Sequence, residues 1–165
     1  MIAREMLQAV FGEGHSHDNV DWWSRYVVRT FNSFAFCFYM QYKNYTEDDY
    51  GLNLKVKSNE TKIQNVFDNA GLNLAYEAYK EYIRNSKNKM YPWLKYTPNQ
   101  LFWISAANVM CEKQTEEYLK QQFLGPYVPP KFRVIGAMSN SLQFSRDFNC
   151  PLNAPMNPEE KCRIL

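Results

Sequence analysis

Apolar residues recur along most of this chain at helical spacing, so the elements it predicts are mostly helices. Residues 1 to 11 predict a first helix, ended by Gly12-Glu13-Gly14. From Val20 to Tyr42, Trp23, Val27, Phe31, Phe34 and Phe38 stand near helical spacing, and a polar stretch from Asn44 to Thr61 reads as loop. From Gln64 to Arg84, Leu72, Ala75, Tyr76, Tyr79 and Ile83 share one face. Thr97-Pro98-Asn99-Gln100 predicts a helix start, with Thr97 as cap, Pro98 in the first position and Gln100 closing the box. That helix is expected to run to about Cys111, and Thr115 to cap another that ends near Leu124. Gly125 to Pro130 predicts a rigid loop, Phe132 to Ile135 a short extended segment, and Ser141 to Phe148 a last short helix. No repeat or internal boundary interrupts the pattern, so residues 1–165 are read as one mainly α domain.

Composition narrows the classes. The chain has 165 residues, enough for one domain with a core. Aromatic residues make up 16% of it and are read mainly as core volume. Trp22 and Trp23 are expected as core anchors and Trp93 as a loop staple. A net charge of +2, with lysines scattered, gives no argument for nucleic acid. The most apolar window, Phe31 to Met40, falls far short of the roughly 20 residues of a membrane span, and no signal peptide opens the chain. Four cysteines (Cys37, Cys111, Cys150 and Cys162) accompany two N-glycosylation sequons, at Asn44 and Asn59, which fits an oxidising compartment. The only two histidines, His15 and His17, lie near Glu13 and Asp18 in a loop that fixes little ligand geometry, so they are read as solvated rather than as a metal site.

Longer motifs carry a resemblance. Arg4-Glu5-Met6-Leu7-Gln8 stands where a zinc peptidase has His-Glu-x-x-His. Asp21-Trp22-Trp23 follows, then Gln64-Asn65-Val66-Phe67-Asp68, Ala75-Tyr76-Glu77-Ala78-Tyr79 and Gln100-Leu101-Phe102-Trp103-Ile104-Ser105. Phe132-Arg133-Val134-Ile135-Gly136 and a tail reading Met156-Asn157-Pro158-Glu159-Glu160-Lys161-Cys162-Arg163 complete the set, the tail being the most specific part. In these segments the chain resembles the neprilysin and endothelin-converting-enzyme family of zinc metallopeptidases over nearly its whole length. The resemblance implies the helical carboxyl-terminal part of a thermolysin-like (gluzincin) catalytic domain, with the upstream part expected to be absent. It implies zinc ligands at positions 4, 8 and 64, an orienting carboxylate at Asp68, and a substrate-binding guanidinium at Arg133. Tyr127 stands at the family's oxyanion histidine, and Phe11 where the family has an acidic outer residue. A Cys37–Cys162 disulfide is also implied. Cys111 and Cys150 would bridge to the upstream half in the family; here they are expected to be free, paired with each other, or bonded to another chain. An extracellular or membrane-ectodomain location follows from the same resemblance.

The residue types at the ligand positions set the functional expectation. A gluzincin site needs two neutral imidazoles at i and i+4 of one helix and a carboxylate from a second, so that a Glu can take a proton from metal-bound water. Arg4 has no lone pair to offer, and the amides of Gln8 and Gln64 are poor zinc donors. Glu5 remains, without an activated water to act on. The expected reading is therefore a zinc-free, catalytically inactive homologue that binds peptides or a partner protein, with Glu5, Asp68 and Arg133 as vestiges of the cleft. Arg4 is expected to supply the missing positive charge to Asp68 or Glu5. The alternatives are an active zinc-dependent metalloendopeptidase and a fragment with no function of its own.

Overall fold

The computed structural model describes residues 2–11, 23–85, 93–125 and 127–164. Among the described residues seven α-helices form in chain order: α1 (Ile2–Phe11), α2 (Arg25–Tyr42), α3 (Ser58–Asn85), α4 (Pro98–Asn108), α5 (Glu116–Leu124), α6 (Pro130–Asn140) and α7 (Leu142–Asp147). A small antiparallel hairpin, β1 (Thr46–Glu47) with β2 (Leu54–Lys55), lies between α2 and α3, in the register Thr46 to Lys55 and Glu47 to Leu54. The chain is thus mainly helical, as its periodicity predicts.

The long helix α3 organises the rest. At 28 residues it is about 42 Å long, and α1, α2 and α6 pack against it. One core cluster joins Phe38 and Tyr42 of α2 to Val66 and Phe67 of α3, Phe123 of α5 and Phe132 of α6. A second joins Tyr76 of α3, Trp103 of α4, Met138 of α6 and Phe144 of α7. There the Tyr76 and Trp103 rings stack with centroids 4.5 Å apart. Asp147 Oδ2 accepts from both Tyr76 Oη and Trp103 Nε1. Burial, and then that carboxylate, push the Tyr76 phenol up, so it stays a donor. Trp23 is half-buried, edge-on to Phe31 at 5.2 Å and to Phe11 at 5.8 Å. Trp93 is 77% exposed.

Local signals explain several boundaries. The Ser24 side chain accepts from Val27 N at 3.3 Å, so α2 begins at Arg25; Val20 to Trp22 lie outside the described residues. Thr97 and Gln100 form the reciprocal box at the start of α4, and Thr115 caps α5. Three expectations need correction. The helix expected from Gln64 begins at Ser58, because its polar residues find partners inside the fold: Ser58 Oγ donates to Tyr39 O, and Thr61 Oγ1 to Lys57 O. The stretch from Asn44 to Thr61 is therefore not loop throughout. Phe132 to Ile135 is helical, since Pro130 starts α6 where a terminal N–H is not needed.

Close packing of α6 on α2 depends on Gly136. A Cβ there would meet Tyr42 Oη at 2.2 Å, and Tyr42 is fully buried. Gly136→Ala adds helix propensity of about 1 kcal/mol but meets an overpacking cost of about 1–3 kcal/mol. The ring has no room to retreat, so the steric cost dominates. A lower urea midpoint for Gly136→Ala is the expected result; an unchanged or higher one would show that Tyr42 can move.

Candidate functional site

Helices α1, α3 and α6 meet around Asp68. Gly71 permits the meeting of α1 with α3, because a Cβ on it would lie 2.8 Å from both Arg4 Cα and Arg4 N. The Arg4 side chain is thereby laid across α3. Its Nε lies 2.8 Å from Asp68 Oδ1, an ion pair by distance whose N–H is not aimed at that oxygen. Its Nη2 donates to Gln64 Oε1 and its Nη1 to Glu5 Oε1. From α6, Arg133 takes the same carboxylate in a fork, with Nε 2.7 Å from Oδ2 and Nη2 2.7 Å from Oδ1. Two guanidinium groups thus share one carboxylate, and the Asp68 side chain is only 8% exposed. Its hydrogen bonds hold the Arg133 guanidinium above its ordinary value, against the opposing effect of burial.

The other expected residues divide. Gln8, one turn after Arg4, keeps its Oε1 buried without a donor. Glu5 is engaged by Arg4, but its side chain is 62% exposed. Tyr127 is exposed, and no hydrogen bond among the described residues joins it to Arg4, Asp68 or Arg133. His15 and His17, with Glu13 and Asp18, lie outside the described residues. Cys111 is exposed and Cys150 half-buried, both with free thiols, while Cys37 on α2 is bonded to Cys162 in the tail. Asn44 and Asn59 are both exposed.

An open groove of about 990 Å³ runs from this cluster between α3, α4 and α6. Arg4, Asp68 and Arg133 form its polar end, and Leu72, Tyr79, Phe102 and Val109 are among its apolar walls. Sequence reasoning missed these walls. The available signal was the unbroken apolar run Leu101-Phe102-Trp103-Ile104, which gives α4 apolar residues on every side. Such a helix has more apolar surface than one core face can cover.

The sequence profile of peptidase family M13 matches residues 1–164. The chain belongs to this family. Among similar proteins, it is 38% identical to an endothelin-converting enzyme homolog of Locusta migratoria, over 99% of this chain and 23% of that protein. It is 38% identical to neprilysin-2 of Drosophila melanogaster, over 99% of this chain and 22% of the relative. The M13 chain therefore spans less than a quarter of the length of these curated relatives. Its fold matches a zinc metalloprotease of Mycobacterium tuberculosis solved with an inhibitor, with a TM-score of 0.83 at 22% identity over 99% of this chain and 26% of the other. It also matches a chain of a Haemonchus galactose-containing glycoprotein complex, with a TM-score of 0.83 at 28% identity over 97% of this chain and 28% of the other.

Zinc chemistry in the family makes the donor set at positions 4, 8 and 64 the test of fit. Arg4 offers only N–H groups, and Gln64 Oε1 already accepts one of them. Gln8 Oε1 is a neutral amide oxygen, weak for zinc beside imidazole or carboxylate. This donor set does not fit a zinc ion. Nor do the described residues contain any other group of three His, Cys, Asp or Glu placed to hold a metal.

Proposed function

We propose that this M13 chain is part of a neprilysin-like metalloendopeptidase homologue that has lost its zinc site and binds peptides or a partner protein without cleaving them. The observation that carries the reading is the Arg4 guanidinium, ion-paired with Asp68 and donating to Gln64 at two positions where the family has metal ligands. A fixed positive charge there repels a metal ion and offers it no electrons. Peptide binding is supported by the apolar groove and by Arg133 at its polar end, the residue whose family counterpart binds the substrate backbone or carboxylate. In this reading Glu5 has no activated water to deprotonate, and Tyr127 has no oxyanion to stabilise.

The wider setting is part of the proposal. We place the chain outside the cell or in a membrane ectodomain, in keeping with its disulfide and with two exposed sequons that accept glycans at Asn44 and Asn59. No helix among the described residues is long and apolar enough to cross a membrane. The free thiols of Cys111 and Cys150 are suited to bonding an amino-terminal half or a paralogue.

The test is a thermal melt of the oxidised chain with zinc against a chelated control, because a ligand of the folded state raises its stability by mass action. No zinc shift is expected, together with a cooperative melt that short apolar peptides with free carboxylates move upward. A zinc shift with chelator-sensitive peptide cleavage would establish instead the zinc-dependent endopeptidase that the names of its relatives suggest. A featureless melt would favour a fragment with no function of its own.

A further inference from the structure

Helix α2 is apolar on its outer side as well as its inner one. Ala35, Phe38 and Tyr42 turn inward and are buried, while Phe36 and Met40, one turn apart on the outer side, are 59% and 40% exposed. Tyr39 borders them, its ring centroid 5.8 Å from that of Phe36, and Lys43 Nζ stands 5.7 Å over the Tyr39 ring. Adjoining exposed side chains of this kind form a patch that marks a contact surface, unlike apolar residues scattered singly.

The stripe ends at one of the sequons. Asn44 lies two positions beyond α2, and its Nδ2 donates to Met40 O at 3.2 Å. Backbone donors take the neighbouring carbonyls of the last turn: Lys43 N bonds Tyr39 O, Asn44 N bonds Gln41 O and Tyr45 N bonds Tyr42 O. Asn44 therefore caps α2 through the very atom that carries an N-linked glycan, and that atom is turned back along the helix toward Met40. Linkage replaces one N–H of Nδ2 by a bond to C1 of N-acetylglucosamine, the proton and the lipid pyrophosphate of the sugar donor leaving, and the other N–H remains. Asn59 is placed differently. It stands in the first turn of α3, and its Oδ1 accepts from Lys62 Nζ at 3.3 Å, one turn along its own helix.

We infer that the first sugars linked to Asn44 lie back along α2 over Met40 and Phe36 and cover this stripe, so that the carbohydrate is part of the folded surface. The inference rests on the reading that the chain stands outside the cell or in an ectodomain, where its sequons accept glycans. Met40 and Phe36 lie roughly 6 and 12 Å before Asn44 along the helix axis, in the direction that Nδ2 already faces. N-acetylglucosamine suits them chemically. One face of its ring presents C–H groups and its acetyl group ends in a methyl, and both pack on aromatic and thioether side chains while the hydroxyls stay in water.

The test uses the full chain secreted from cells that glycosylate, as the natural sequence and as Phe36→Ser/Met40→Ser. Molecules with and without sugar at Asn44 are separated and melted. The glycan at Asn44 is expected to raise the melting temperature of the natural chain by about 2–4 °C, the scale on which one good contact moves a domain of this size, and to leave that of the variant unchanged. A glycan at Asn59 is expected to act equally on both. Equal shifts from Asn44 in the two proteins, or none in the natural chain, would overturn the inference and leave the stripe to another partner. Should the variant not fold, nuclear Overhauser contacts from the N-acetyl methyl at Asn44 to the Phe36 ring or the Met40 methyl decide the matter, and their absence overturns it. If neither sequon is modified in the secreted chain, the extracellular reading fails as well; if Asn59 is modified and Asn44 is not, this inference alone fails.

Discussion

Replacing Asp68 by alanine is expected to destabilise the fold by about 3–5 kcal/mol, the range for breaking a buried charge group by removing one partner. The side chains of Arg4 and Arg133 are 16% and 22% exposed, so solvent cannot screen their repulsion once the carboxylate is gone. Neither guanidinium can escape by losing its proton, since arginine stays charged at accessible pH. The substitution Asp68→Asn keeps the shape and an acceptor but not the charge, so its cost falls between that of alanine and the natural residue. The combination Arg4→Met/Asp68→Ala/Arg133→Met removes every charge of the cluster and is expected to recover most of the loss, as apolar replacement of buried ion groups often does. Urea denaturation of these variants, treated as a mutant cycle, measures the coupling. A cost below about 1 kcal/mol for Asp68→Ala would place the cluster with exposed ion pairs and remove its structural importance.

The same cluster shows how far the sequence could be read. The family was legible because its motifs run along nearly the whole chain, and the helix starts at Thr97 and Thr115 because capping chemistry is local. Mutual placement was less accessible. That Arg4 would need a carboxylate follows from charge, but that Arg133 would grip the same Asp68 from a third helix depends on how α6 packs. The helical state of Phe132 to Ile135 was hidden by the Pro129-Pro130 pair, which punctuates a loop in one context and opens a helix in another. The early start of α3 was hidden because Ser58 and Thr61 fell in the polar stretch read as loop, whereas they are buried, as are Asn65 and Asn69 farther along the helix. Asn69, for example, donates both to Tyr42 Oη and to Asn65 O. Burial of a hydrogen-bonded amide leaves no mark on hydrophobic periodicity. The groove shares this limit, since its walls come from three helices and none of them alone outlines a cavity.

Loss of the Cys37–Cys162 bridge is the other change expected to be large. The two residues are 125 positions apart in a chain of 165, so the bond closes most of the chain into one loop. For a loop of this size the chain-entropy argument gives about 4–5 kcal/mol, exerted mainly on the unfolded state. The folded tail has further attachments that survive without the bond. Cys162 N donates to Asn140 Oδ1 at 3.0 Å, Asn140 Nδ2 donates to Gln41 Oε1 and Asn69 Oδ1, and Lys161 Nζ donates to Ser139 O. A Cys37→Ser/Cys162→Ser protein is therefore expected to keep its native helical circular dichroism while unfolding at a much lower urea concentration. Its m-value should rise, because an unbridged unfolded chain exposes more surface. The comparison belongs in a Cys111→Ser/Cys150→Ser background, so that the two free thiols cannot exchange with the bridge. If the stability loss is below about 1 kcal/mol, the entropic account fails for this fold, and the Asn140 network rather than the covalent bond holds the tail to α2.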